Sequence, residues 1–138
     1  MLSFSKTAEE SLKAHAEGGY PDEICGYLVG KARRAEEAWP IPNLDNERAR
    51  DRYLMDPKEQ LRLEKEARAR GWEILGVYHS HPDHPSAPSE TDRARAAEIW
   101  GGAESWSYVI LEVAKGTVAS RRSWVLKDGR FSEETVTA

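Results

Sequence analysis

Three of the chain's four histidines fall in the run His79-Ser80-His81-Pro82-Asp83-His84. Side chains two apart on a β-strand share a face, so His79 and His81 would project together from a strand end. Two neutral imidazoles at that spacing form a platform for zinc, although histidines ending a strand can equally be plain polar residues. Asp92 shifts the balance. With Ser89 as N-cap, Asp92 becomes the third helical residue, where the positive end of the helix dipole keeps its carboxylate ionised. Two imidazoles and one carboxylate leave a fourth position for water, the open pattern of catalytic rather than structural zinc. Ser89-Glu90-Thr91-Asp92 is also an ordinary capping signal, and the two readings are compatible. A serine hydroxyl has one donor and two acceptor sites, so Ser89 can cap a helix and still donate to a substrate oxygen.

Other zinc chemistries need ligands this chain lacks. The same run fits the His-x-His-x-Asp-His signature of metallo-β-lactamases, but that fold needs further histidines downstream and only His15 lies elsewhere. Asp83 and His84 therefore read as exposed turn residues, with His84 near the site. Zinc deaminases need two cysteines in their second motif, and Cys25 is the chain's one cysteine. With no base to activate it, Cys25 reads as a small buried hydrophobe.

The elements that must position these groups follow from pattern. Ser5 or Thr7 caps a first helix, with Thr7 and Glu10 at capping-box spacing, and Gly18-Gly19 ends it. Ile24 to Val29 reads as a buried strand. Trp39 to Ile41 reads as a short second strand pushed to an edge by Pro40 and Pro42. Asn43 to Arg52 has no period and reads as a loop. Asp56-Pro57 starts a helix that stops at Gly71, with Glu64–Arg68 and Glu66–Arg70 as acid-first pairs. Glu73 to His81 is a strand, and the segment from Pro82 to Pro88 a stiff loop. Ser89 opens a third helix carrying Ala94, Ala97 and Trp100 and ending at Gly101-Gly102. Trp106 to Val113 is a strand. A last hairpin pairs Thr117–Leu126 with Phe131–Val136 through Lys127-Asp128-Gly129-Arg130.

Composition sets outer bounds. A length of 138 residues suits one domain, and a formal charge of -4 argues against a nucleic-acid binder. No run approaches a membrane span, and no secretory signal precedes the first helix, so the expected compartment is the cytoplasm. The five tryptophans read as core and rim packing.

Together these residues resemble the JAMM (MPN+) metalloprotease family, whose pattern is an upstream Glu, then His-Ser/Thr-His-Pro, then Ser-x-x-Asp. The chain supplies Glu23 in Pro21-Asp22-Glu23-Ile24-Cys25-Gly26, then His79-Ser80-His81-Pro82 and Ser89-Glu90-Thr91-Asp92. The likeness spans essentially the whole chain, and none of the five active-site positions departs from the pattern. It implies an α/β (α+β) fold, a cytidine-deaminase-like sandwich with a central mixed sheet flanked by helices, over residues 1–138. It also implies zinc-dependent hydrolysis of a peptide or isopeptide bond, with one zinc per chain. In that scheme His79, His81 and Asp92 hold the metal, and Ser89 hydrogen-bonds the developing oxyanion. Glu23 takes a proton from water and passes it to the leaving amine. From the residues alone, Glu23 stands out only by adjoining a buried strand, and Asp22 competes with it. The implied partner is a ubiquitin-like protein, such as a sulfur carrier, whose Gly-Gly tail adds as a strand beside the site. A homodimer stays open. The Arg-rich stretch from Glu47 to Arg52 reads as a solvated loop, which the resemblance places beside the substrate groove. Two other readings are a non-catalytic MPN-type interaction module and a zinc hydrolase of small amides.

Overall fold

The computed structural model describes residues 1–99 and 105–137. Its strands are β1 (Leu2–Phe4), β2 (Cys25–Lys31), β3 (Arg34–Ile41), β4 (Glu73–Pro82), β5 (Ser107–Ala114), β6 (Thr117–Lys127), β7 (Arg130–Glu134) and β8 (Val136–Thr137). Its helices are α1 (Lys6–Gly19), α2 (Pro57–Ala69) and α3 (Glu90–Ile99). All strands join one mixed sheet in the order β7-β6-β5-β4-β2-β3-β1-β8. The histidine strand β4 is central, antiparallel to β2 and parallel to β5. Gly76 makes that parallel pairing possible, because a Cβ there would run into the Ser107 backbone.

Helices cover both faces of the sheet. Ala8, Leu12 and Ala16 of α1 pack on one face with Leu28, Tyr78, Val109 and Leu111. Leu63 and Ala67 of α2 and Ala96 of α3 pack on the other with Tyr27, Val77 and Tyr108. Tyr78 and Val77 thus point opposite ways, and continuing the alternation sends His79 and His81 to the α2/α3 face. That is the expected α+β sandwich with a mixed central sheet. Among the described residues no helix is long and apolar enough to cross a membrane.

Several local expectations need correction. Ser5, not Thr7, caps α1: its Oγ accepts from Ala8 N–H at 3.0 Å and donates to the Glu36 carbonyl at 2.7 Å. The second strand runs from Arg34 to Ile41, not only from Trp39. A register shift between Val29 and Gly30 breaks its alternation, which hid the strand among Arg34, Glu36 and Glu37. The last strand is two strands, broken at Thr135, and β8 pairs with β1. The sheet therefore curls until its two margins meet, and Leu2 N–H donates to the Thr135 carbonyl at 3.0 Å. Asp56 caps α2 as expected, and Gly71 follows it at φ 72°. Glu66 pairs with Arg70, while Glu64 lies at the Tyr27 hydroxyl. The expected helix stop at Gly101-Gly102, with Trp100, lies outside the described residues.

Candidate active site

His79 and His81 stand at the C-terminal end of β4, and Asp92 stands in the first turn of α3. Their side chains converge. His79 Nε2 lies 3.1 Å from His81 Nε2 and 3.2 Å from Asp92 Oδ1, and His81 Nε2 lies 3.1 Å from Asp92 Oδ2. Ligand bonds of about 2.0–2.1 Å in a tetrahedral zinc site put ligand atoms about 3.3 Å apart, so this donor set suits zinc in type and spacing. Among the described residues these three form the one such group of His, Cys, Asp or Glu side chains.

Burial and the neighbouring groups act differently on the three donors. Burial holds His79 below the usual imidazole range and so favours the neutral, ligating form. Burial also disfavours charge on Asp92, but the facing imidazoles and the Ser89 N–H more than offset it, and the carboxyl stays well below its usual range. For His81, burial is outweighed by Asp92 and the Pro85 carbonyl, giving a net upward shift. His81 Nδ1 sits 2.7 Å from that carbonyl, and donation there turns Nε2 toward His79 and Asp92.

Asp92 is also part of a reciprocal cap. Its N–H donates to Ser89 Oγ at 3.1 Å, and its Oδ2 accepts the Ser89 N–H at 2.9 Å. Ser89 thus caps α3 while remaining exposed at the cleft. The spacing that suggests a metal ligand and the spacing that suggests a cap describe the same contact.

Residues 5–127 match the family of prokaryotic homologues of the JAB domain. The chain belongs to this family. The JAMM-type chain is 37% identical over 107 residues to the desampylase of Haloferax volcanii, covering 73% of this chain and 75% of that one. It is 30% identical over 126 residues to the CysO-cysteine peptidase of Mycobacterium tuberculosis, covering 91% and 83%. A protein of Desulfitobacterium hafniense superposes with a TM-score of 0.85 at 33% identity, covering 100% of this chain and 93% of its own. A JAMM structure described by its metalloprotease-like zinc site shares the fold, with a TM-score of 0.58 at 17% identity, covering 99% and 97%. With peptidases and desampylases as its relatives, this small prokaryotic JAMM/MPN+ protein is a hydrolase.

Glu23 precedes β2 and is 6% exposed, lining the same cleft as His81, Ser89 and Thr91. Burial raises its carboxyl to about 8, with the charge of His81 opposing the rise and that of Asp92 adding to it. Its neighbour Asp22 is exposed. Arg48, Asp51 and Arg52 also line the cleft, so part of the Arg-rich stretch borders it, as does His84. Asp83 is engaged elsewhere, accepting from the Tyr20 hydroxyl at 2.6 Å and the Lys115 N–H at 2.8 Å. Cys25 is fully buried, and burial pushes its thiol up to about 12, which removes it as a nucleophile.

Three further residues shape the site without a sequence signal of their own. Tyr53 stacks on His79 with ring centroids 4.7 Å apart, and Arg95 of α3 lies over the Tyr53 ring at 5.9 Å. Asn43 contacts the Glu23 backbone.

Proposed function

We propose that the chain is a zinc-dependent peptidase or isopeptidase that cleaves the bond after the Gly-Gly tail of a ubiquitin-like protein, sulfur carriers included. It would act as one domain in the cytoplasm with one zinc per chain. The observation that carries the metal assignment is the convergence of His79 Nε2, His81 Nε2 and the Asp92 carboxylate within one buried cluster. Relatives named desampylase and CysO-cysteine peptidase support the substrate class.

His79, His81 and Asp92 would hold the zinc, which supplies a Lewis acid and brings the pKa of a water near 7. Glu23 is buried at the edge of this cluster and shares its cleft. Its carboxylate accepts the proton of the attacking water and carries it to the leaving amine. Ser89 presents its hydroxyl at the cleft, where it donates to the oxygen of the scissile carbonyl as negative charge gathers there. Because Ser89 Oγ already accepts from Asp92 N–H, its rotation is restricted, and the hydroxyl proton is free to point at substrate.

Metal analysis and a cleavage assay test this reading together. The wild-type chain should carry about one zinc, and His79→Ala or Asp92→Ala should remove it. Glu23→Gln should keep the zinc and lose cleavage of a carrier whose Gly-Gly tail bears an extra residue or a conjugated amine. Full activity of Glu23→Gln would sink the proposed role of that carboxylate.

A further inference from the structure

Glu23 precedes the first residue of β2, so no strand ladder holds its own peptide groups. Both are held instead by the loop between β3 and α2. Glu23 N–H donates to the Ala49 carbonyl, and the Glu23 carbonyl accepts from Asn43 Nδ2 at 3.0 Å. One residue later the anchoring passes to β4, where Ile24 N–H donates to Ser80 Oγ at 2.9 Å.

Asn43 closes the neck of this loop. An isolated bridge joins Asn43 to Met55, and Leu44 N–H donates to the Leu54 carbonyl at 2.8 Å. The Asn43 side chain uses its full hydrogen-bonding capacity. Oδ1 accepts from the N–H groups of Asp45 and Leu54, and Nδ2 donates to the carbonyls of Glu23 and Arg52, all at 3.0 Å. Reversing the amide would face its N–H groups with donors and its oxygen with carbonyls, so the network fixes its orientation.

We propose that Asn43 is a positioning residue that locks Glu23 against the metal-ligand cluster, tying it to the loop that walls the cleft. This rests on the reading of Glu23 as the proton carrier. Two Nδ2 bonds do different jobs: the one to Arg52 closes the loop, and the one to Glu23 sets where the carboxylate side chain starts. No other side chain among the described residues bonds the Glu23 carbonyl. Arg48, Asp51 and Arg52, which line the cleft, therefore lie on the same loop that holds Glu23.

Asn43→Asp tests this with little change of shape. It keeps both acceptor roles toward Asp45 and Leu54, removes both donors, and sets a carboxylate oxygen against the Glu23 and Arg52 carbonyls. In the zinc-loaded variant kcat should fall at least about tenfold, with KM within about threefold of wild type and zinc content unchanged, as expected for a displaced general base. Amide exchange supplies a readout that does not depend on turnover: Glu23 N–H should exchange at least about tenfold faster, with amides inside β2 unaffected. A kcat within about twofold of wild type, a loss carried by KM or zinc, or unchanged Glu23 exchange would overturn the proposal. Should the variant fail to fold, native-state exchange of the wild type decides. The Glu23, Asp45 and Leu54 amides should open as one unit under mild denaturant, and separate openings would overturn it. If Glu23→Gln proves fully active, the proton-carrier reading fails, while the exchange results still judge the Asn43 lock on its own.

Discussion

Ser80 and Ile24 hold each other by two hydrogen bonds. Ile24 N–H donates to Ser80 Oγ at 2.9 Å, and Ser80 N–H donates to the Ile24 carbonyl at 3.1 Å. Ser80 separates the two candidate zinc-binding histidines and points to the opposite face of β4, and Ile24 directly follows Glu23. The residue between the imidazoles therefore fixes the strand entry that carries the carboxylate.

Ser80→Ala should be costly for that reason. Ser80 is fully buried and Ile24 is 8% exposed, so the orphaned Ile24 N–H finds no water. Leaving a buried amide unsatisfied costs about 1–3 kcal/mol. Urea unfolding should show a lower midpoint with an unchanged slope, and the variant should keep its zinc while losing kcat. An unchanged midpoint would mean that Ile24 finds another partner.

The parts of the site that were legible in the sequence are those set by local geometry. Strand alternation aligns His79 with His81, and helix periodicity with a Ser-x-x-Asp cap delivers Asp92 to them. Asn43 was not legible, because its four bonds reach Glu23, Asp45, Arg52 and Leu54, and no residue pattern announces such a hub. The same holds for β1 and β8, strands of three and two residues whose pairing depends on sheet closure. The turn joining β2 to β3 was hidden differently: Ala32 and Arg33 take φ of 52° and 62°, which neither residue type advertises. Glu23 lies between these cases, placed beside its strand by sequence but singled out only by the family pattern.

Asp92 carries two roles that substitution can separate. Asp92→Asn keeps an oxygen able to accept the Ser89 N–H but loses the charge that suits a metal, whereas Asp92→Ala loses both. Zinc content should fall in both variants. In chelator-treated protein Asp92→Ala should be less stable than Asp92→Asn by about 1 kcal/mol, the usual worth of a helix cap. Equal thermal midpoints for the two metal-free variants would mean that the cap contributes nothing.

Glu23 should cost the metal-free protein stability at alkaline pH. Burial raises its carboxyl from about 4.5 to about 8. Between those values the folded chain binds a proton that the unfolded chain has released, so stability falls as pH rises through this window and levels off above about 8. Glu23→Gln removes the penalty. It should stabilise metal-free protein at pH 9 by about 1–3 kcal/mol relative to wild type and change little at pH 4. Zinc opposes the upward shift with its positive charge, so carboxyl titration followed by carbon NMR should move down on zinc addition. A Glu23 midpoint near 4.5 in metal-free protein would contradict the burial argument.

Glu134 should govern acid stability from the seam where the sheet margins meet. Its side chain is 8% exposed and accepts from Ser107 Oγ at 2.5 Å, Ser123 Oγ at 2.6 Å and Arg33 at 3.1 Å, with the Met1 amine 3.5 Å away. Burial alone would raise its carboxyl, but the two hydroxyls and the two positive charges outweigh it and the net shift is downward. The unfolded chain then binds more protons, so this stabilisation is present above the ordinary carboxylate range and is lost as pH falls through the lowered value. Glu134→Gln should therefore cost about 1–3 kcal/mol at pH 7, as expected for cutting charge-assisted hydrogen bonds. Urea melts compared across pH should show the gap between wild type and variant closing below about pH 4, because a protonated carboxyl and an amide are both neutral. A gap that stays constant down to pH 2 would mean the carboxylate charge contributes nothing at this seam.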